Sequence, residues 1–182
     1  MTGFSVESIV GALSGSLTPL IDAIKAGKIK GAVGVVGCSN PKIKQDYGYV
    51  ELIKLLIAND ILVLTTGCVN VAAGKAGLQV PEAKELAGPG LKEVCGLLNI
   101  PPSLHVGSCV DNSRIIVIAC ALANAIGVDI DKLPLEGAAP EWYSEKAATI
   151  AFYAMASSIF TVPGVMPPIA GSKKSPNLPP PG

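Results

Sequence analysis

The chain has 182 residues, a length typical of a single domain. Its 14 basic residues balance its 14 acidic ones, which argues against binding to nucleic acid or anionic membranes driven by net charge. Hydrophobic residues make up 49% and charged residues 15%, and the mean hydropathy is +0.50. This composition excludes a chain that is disordered over its whole length.

Helical and strand patterns alternate along most of the sequence. Residues 5–26 have helical spacing, with a break expected at Pro19 and an end at Gly27. Short β-branched runs then alternate with helical ones; the strands are expected at 29–36, 61–66, 104–106, 133–136 and 159–162. This order predicts an α/β, Rossmann-like doubly wound domain. It would have a mainly parallel sheet of about five strands and helices on both faces.

The domain is expected to span residues 1–171, followed by a disordered Pro-rich tail at 172–182. The first 24 residues lack a basic segment and do not resemble a signal peptide. The uncharged run between Lys146 and Lys173 is long enough to cross a bilayer, but its prolines favour a helix followed by a buried strand. A cytoplasmic protein without membrane insertion is therefore expected.

Three of the five cysteines occupy equivalent places in the pattern. Cys38, Cys68 and Cys109 each follow a predicted strand and precede a predicted helix. The carboxyl ends of parallel strands line the crevice where ligands bind, and helix N-termini favour thiolate. The three thiols are therefore expected to converge, although inert core cysteines remain the simpler alternative. Soft thiolate ligands favour zinc, copper(I) or iron–sulfur chemistry.

Other candidate residues are less distinctive. Cys95 and Cys120 fall within helical patterns and are expected to pack in the core. His105 lies in the third predicted strand and is interpreted as a half-buried, hydrogen-bonded residue. Lys146 opens the helix after the fourth strand, where it is either a proton donor in the crevice or a solvated lysine.

Several segments resemble the C-terminal half of anaerobic nickel- and iron-containing carbon monoxide dehydrogenases. The resemblance runs in order from about Phe4 to Ile169, and its most distinctive segment is Gly107–Arg114. The other segments that carry it are Gly37-Cys38-Ser39-Asn40-Pro41-Lys42, Thr65-Thr66-Gly67-Cys68, Gly74-Lys75-Ala76-Gly77-Leu78 and Glu141-Trp142-Tyr143-Ser144-Glu145-Lys146-Ala147.

The resemblance implies a function and a site. Enzymes of that family are homodimers that oxidise CO with water, reversibly, to CO2, two protons and two electrons at a NiFe4S4-type cluster. By motif, Cys38, Cys68 and Cys109 match cysteine ligands of that cluster. Lys146 matches the lysine that assists CO2 and hydroxide chemistry, and Ile150 matches the isoleucine beside the CO site.

The departures from the family pattern leave alternatives open. The family's other cluster ligands and the cysteines of its [4Fe-4S] clusters come from N-terminal domains with no counterpart here. The chain is therefore expected to be part of a homodimer or larger complex and to turn over poorly alone. The alternatives are a metal- or iron–sulfur-binding scaffold without turnover and a hybrid-cluster-type reductase.

Overall fold

The structure is a computed structural model that describes residues 6–165, without the side chains of Val6, Glu145 and Lys146. Its helices are α1 (Val6–Ala12), α2 (Thr18–Lys25), α3 (Tyr47–Ala58), α4 (Cys68–Lys75), α5 (Pro89–Leu98), α6 (Asn112–Ile126) and α7 (Glu145–Ala156). Its strands are β1 (Gly31–Val35), β2 (Ile61–Thr66), β3 (Ser103–Gly107), β4 (Leu135–Ala139) and β5 (Phe160–Pro163). Short 3-10 helices lie at Pro81–Leu86, Cys109–Asp111 and Ile130–Lys132.

All five strands are parallel, in the order β3-β2-β1-β4-β5. The order reverses between β1 and β4, which is where an open parallel sheet forms its ligand-binding crevice. The two halves of the sheet place their connecting helices on opposite faces. On one face, Gly34 of β1 lies against Ile115 of α6, and on the other, Val33 lies beside Leu52 and Leu56 of α3. The predicted α/β fold, with its five-stranded parallel sheet covered on both faces, is confirmed.

The central strands are apolar because both of their faces are covered. In β2 every residue after Ile61 is buried, and in β1 every residue except Ala32 is buried. The break predicted at Pro19 is present, since α1 and α2 are separate and Pro19 lies in the first turn of α2. Gly127, with φ +80°, ends α6 as a left-handed cap.

Two strand predictions need correction. The fourth strand was expected at 133–136, ending before Gly137, but β4 runs over Leu135–Ala139 with Gly137 inside it. Glycine fits there because a Cβ on Gly137 would lie 3.0 Å from Oγ1 of Thr161 on β5. The fifth strand was expected to be buried, yet β5 is an edge strand with Phe160 and Val162 exposed.

Among the described residues, one helical stretch, Cys109–Ile126, is long and apolar enough to cross a membrane on length and composition alone. Within it, Ile115, Ile118, Ala119 and Ala123 are buried in the protein. The predicted tail at 172–182 lies outside the described residues, so the domain boundary at 171 stays a prediction.

The packing of α5 gives a test of the fold. A Cβ on Gly90 would lie 2.2 Å from the carbonyl oxygen of Lys28, in the segment that leads into β1. We expect Gly90→Ala to lower the free energy of unfolding by about 2–4 kcal/mol, because backbone must shift to admit the methyl group. Urea unfolding followed by circular dichroism measures this change.

The matched control for Gly90→Ala is Gly11→Ala in α1, where the added Cβ meets no atom within 4 Å. This substitution should leave the stability unchanged or raise it by about 0.5–1 kcal/mol, because alanine favours the helix. If Gly90→Ala and Gly11→Ala change the free energy of unfolding equally, the close packing of α5 against the Lys28 backbone is contradicted.

Candidate metal centre

The register of the sheet places the three cysteines level with one another at its carboxyl edge. Cys38 and Cys68 each follow the paired residues Val35 and Thr65 by three positions. Cys68 and Cys109 each follow the paired residues Thr66 and Gly107 by two positions. The predicted convergence of the three strand ends is therefore present in the backbone.

Gly67 brings the three strand-end loops into direct contact. A Cβ on Gly67 would lie 3.3 Å from Cβ of Cys109 and 3.3 Å from the carbonyl oxygen of Gly37. The backbone amide of Gly67 also donates a hydrogen bond to the carbonyl oxygen of Gly107, at 3.1 Å. With φ +65° and ψ −138°, Gly67 has a backbone conformation that other residues rarely adopt. Glycine at this position therefore permits both the turn and the close approach.

The loops carry their cysteines in different local structures. Cys68 is the first residue of α4, and Cys109 begins the 3-10 helix that precedes α6. Cys38 also precedes a helix, but the irregular segment 39–46 separates it from α3. All three are free thiols; Cys109 is exposed and the other two are half-buried. Among the described side chains, no three His, Cys, Asp or Glu residues are grouped closely enough to hold a single metal ion.

Asp111 holds the loop that carries Cys109. Its Oδ2 accepts hydrogen bonds from the backbone amide of Ser108, at 2.8 Å, and from the Ser108 hydroxyl, at 2.9 Å. Arg114 Nε donates to the other oxygen, Oδ1, at 3.0 Å. The hydrogen bonds from Ser108 hold the pKa of Asp111 below its usual value. Gly107 is needed beneath this turn, since a Cβ there would lie 2.5 Å from the Asp111 side chain.

A buried polar network supports the loops that carry Cys68 and Cys109. Asn70 Nδ2 donates to the carbonyl oxygen of Gly107 at 2.5 Å, and Thr65 Oγ1 donates to the carbonyl oxygen of Leu104 at 3.1 Å. Gln79 Nε2 donates to both Thr65 Oγ1 and Asn70 Oδ1, at 3.0 Å each. These bonds join the end of β2 and the start of α4 to β3, so they fix the two cysteine loops relative to each other.

An apolar cavity of about 70 Å³ lies where the strand order reverses. Cys38 and Cys109 line it together with Ile115 of α6 and Ile150 of α7. A shallower apolar groove continues from Cys109 along α6 and α7, past Val110, which is 77% exposed. The carboxyl edge thus combines thiols with a partly open apolar cavity.

Of the two predicted site residues on α7, the structure describes the side chain of Ile150 but not that of Lys146. Ile150 lines the apolar cavity beside Cys38 and Cys109. Lys146 is the second residue of α7, at the carboxyl edge of the sheet, but its side chain lies outside the described residues. The predicted role of Lys146 therefore stays a prediction.

Tyr49 and Glu141 were not singled out from the sequence, yet they lie directly behind the Cys38 loop. The Tyr49 hydroxyl donates to the carbonyl oxygen of Cys38 at 2.8 Å. Oε1 of Glu141 accepts from the backbone amides of Gly48, at 2.7 Å, and Tyr49, at 3.3 Å. Burial, and secondarily the Glu141 carboxylate, raise the pKa of Tyr49 well above its usual value. The one sequence signal was that Glu141 opens a motif carrying the family resemblance.

The other candidates lie away from this edge. Cys95 is buried in the core, as predicted, and burial raises the pKa of its thiol to about 12. Cys120 on α6 was also expected in the core but is only half-buried. His105 is half-buried on β3.

Comparison with known proteins establishes the family. Residues 3–178 match the Prismane/CO dehydrogenase family, and the chain belongs to it. Carbon monoxide dehydrogenase 1 of Methanosarcina acetivorans is 59% identical over 173 residues, which are 95% of this chain and 28% of the relative. The predicted resemblance to carbon monoxide dehydrogenases is confirmed.

Solved structures share the fold. A nickel-free carbon monoxide dehydrogenase from Thermococcus sp. AM4 superposes with a TM-score of 0.91 at 58% identity, over 95% of this chain and 27% of that one. A chain of an acetyl-CoA synthase/carbon monoxide dehydrogenase, described with NiZn[Fe4S4] and NiNi[Fe4S4] clusters in its alpha subunits, superposes with a TM-score of 0.87. Its identity is 35%, over 93% of this chain and 27% of that one. The chain therefore spans little more than a quarter of the length of these proteins.

The close approach at Gly67 can be tested directly. We expect Gly67→Ala to lower the free energy of unfolding by about 3 kcal/mol, because the methyl group meets Cys109 and the backbone conformation is strained. Gly77→Ala is the control, since Gly77 also has a positive φ, +68°, but its Cβ would meet no atom within 4 Å. It should cost only about 1–2 kcal/mol. If urea unfolding shows the same loss of unfolding free energy in both variants, the close approach of Gly67 to Cys109 does not contribute to stability.

Proposed function

We propose that this chain is the part of a nickel–iron carbon monoxide dehydrogenase that contributes three thiolate ligands to its active cluster. The reaction of the whole enzyme is CO + H2O → CO2 + 2 H⁺ + 2 e⁻. The observation that carries the proposal is the level placement of Cys38, Cys68 and Cys109 at one sheet edge. The similarity to carbon monoxide dehydrogenases over 95% of the chain supports it.

The donor set fits an iron–sulfur group better than a single ion. The three residues offer only soft thiolate ligands, which suit iron–sulfur clusters, copper(I) or zinc. They are not grouped around one ion position among the described residues, whereas a cluster several Å wide can reach ligands from three separate loops. Gly67 lets those loops approach closely, since a Cβ there would lie 3.3 Å from Cβ of Cys109. Cys38, Cys68 and Cys109 are therefore the residues that would hold a NiFe4S4-type cluster.

Such a cluster, when bound, supplies a metal site for CO and accepts the two electrons. The chain's own residues bind and shield it. Ile150 and Ile115 give the neighbouring cavity apolar walls, which exclude bulk water and admit a small uncharged molecule such as CO. Lys146, in the first turn of α7, is proposed as the cation that donates a proton or stabilises a carboxylate as CO and CO2 interconvert.

The remaining parts of the enzyme are proposed to come from outside this chain. Its length is 27–28% of the similar proteins, so further cluster ligands and the electron-relay [4Fe-4S] clusters would belong to N-terminal domains, in a homodimer or larger complex. The exposed apolar groove between α6 and α7 is consistent with a surface that such domains cover. We propose a cytoplasmic location for the assembled enzyme.

Metal analysis of the 182-residue chain tests the assignment of the thiolates. After anaerobic reconstitution with iron, sulfide and nickel, we expect bound iron and acid-labile sulfide with a broad absorption band in the blue. The triple variant Cys38→Ala/Cys68→Ala/Cys109→Ala should lose both, because thiolates hold such clusters. Cys120→Ala is the matched control and should retain them, since Cys120 lies on α6 away from the carboxyl edge.

Two outcomes would contradict the proposal, and a third would limit it. Iron and sulfide that persist in the triple variant would show that other groups bind them. Stoichiometric zinc without iron would favour a zinc-binding scaffold. A wild-type chain that folds but takes up no iron would show that the three thiolates do not bind a cluster without further ligands.

A further inference from the structure

Glu141 is a buried acid between β4 and α7, and hydrophobic packing alone does not explain an acid at this position. Its side chain is 1% exposed, and its Oε2 atom is buried without a hydrogen-bond partner among the described residues. Burying a polar atom unpaired is costly, as is burying a carboxylate. The position is therefore expected to perform a task that an apolar residue would not.

Its other oxygen supplies the missing cap of α3. Asp46, which precedes α3, has φ +67° and makes no side-chain cap hydrogen bond. Instead, Oε1 of Glu141 accepts from the backbone amides of the second and third helical residues, Gly48 and Tyr49. An N-cap residue accepts hydrogen bonds in the same way. Here, however, the acceptor Glu141 lies 93 positions along the chain from Gly48.

Tyr49 extends this connection to Cys38. Its side chain is fully buried, and its hydroxyl donates to the carbonyl oxygen of Cys38 at 2.8 Å. Gly37 makes room for the hydroxyl, since a Cβ on Gly37 would lie 2.9 Å from it. A second link runs in parallel, because Asn40 Nδ2 donates to the carbonyl oxygen of Trp142 at 3.3 Å. The loop after β1 is thus tied to the loop after β4 in two places.

We propose that Tyr49 and Glu141 are positioning residues that hold the Cys38 loop and the loop leading into α7 at a fixed separation. The connection runs from Cys38 through the Tyr49 hydroxyl and the start of α3 to Glu141. Glu141 lies four residues before the first residue of α7, the helix that carries Lys146 and Ile150. Any effect of this connection on the reaction rests on the proposed function, in which Cys38 is a cluster ligand and Lys146 is the neighbouring cation.

Hydrogen exchange of the metal-free 182-residue chain tests the connection, measured by mass spectrometry on peptides that cover 36–46 and 141–147. In Tyr49→Phe and in Glu141→Ala, we expect amides in both segments to exchange about fivefold faster, the factor that one net hydrogen bond provides. Glu141→Gln retains volume and a carbonyl oxygen, so it should restore slow exchange. Tyr47→Phe is the control on the same helix; Tyr47 is 56% exposed, and exchange should not change.

A purely local role gives a different pattern. If Glu141 only caps α3, Glu141→Ala speeds exchange in the first turn of α3 and leaves segment 36–46 unchanged, which overturns the proposal. Equal exchange in Tyr49→Phe and wild type overturns it as well. If Glu141→Gln behaves like Glu141→Ala, the carboxylate acts through its charge and not through its hydrogen bonds, and the proposed connection is wrong.

Metal uptake then measures the consequence for the site. After reconstitution, Tyr49→Phe and Glu141→Ala should bind iron about tenfold more weakly than wild type, as expected for groups that orient a metal ligand. Wild-type affinity in both variants would contradict a positioning role toward Cys38. A wild-type chain that takes up no iron contradicts a cluster site that works without further ligands, whereas the exchange measurement needs no metal and decides the connection on its own.

Discussion

One extra residue in β3 keeps the three cysteines level. Thr65 of β2 pairs with His105, but Thr66 pairs with Gly107, so Val106 is a bulge between them. The sequence after β3 also carries one more residue before its cysteine, Gly107-Ser108-Cys109, where the other loops have Gly-Cys. Without the bulge, Ser108 and not Cys109 would lie level with Cys68. The register of the sheet therefore decides which side chains meet at its carboxyl edge.

The same edge explains why local sequence patterns were sufficient to predict that the three cysteine-bearing loops lie side by side. Each cysteine is recognisable from its own strand and its own glycine, and parallel strands necessarily bring their carboxyl ends together. The helix break at Pro19 is likewise a local signal, and it is present. Sequence reasoning succeeded where the physical cause lies within a few residues of the feature.

It failed where the cause is distant in the sequence. Glu141 contacts Gly48, 93 positions away, and neither residue has a neighbour that indicates the other. The end of β4 was misplaced for a similar reason, because Gly137 is in the strand to accommodate Thr161 and not to end it. The cap of α3 was also missed, since that helix takes its cap from Glu141 and not from a residue beside it. These features depend on packing between elements, which no local pattern encodes.

The two halves of the sheet contribute different groups to the site. The loops after β1, β2 and β3 carry the thiols, whereas β4 leads to α7, which carries Lys146 and Ile150. The halves meet between β1 and β4, and their connecting helices lie on opposite faces of the sheet. The parallel register of β1 and β4 ends at Val35 and Ala138, and the amide of Val36 makes the last backbone hydrogen bond, to the carbonyl oxygen of Ala138. Beyond these residues, hydrogen bonds made by Asn40, Tyr49 and Glu141 connect the two loops. A buried acid that would weaken an ordinary core therefore lies where it links the loop that carries Cys38 to the loop that leads into α7.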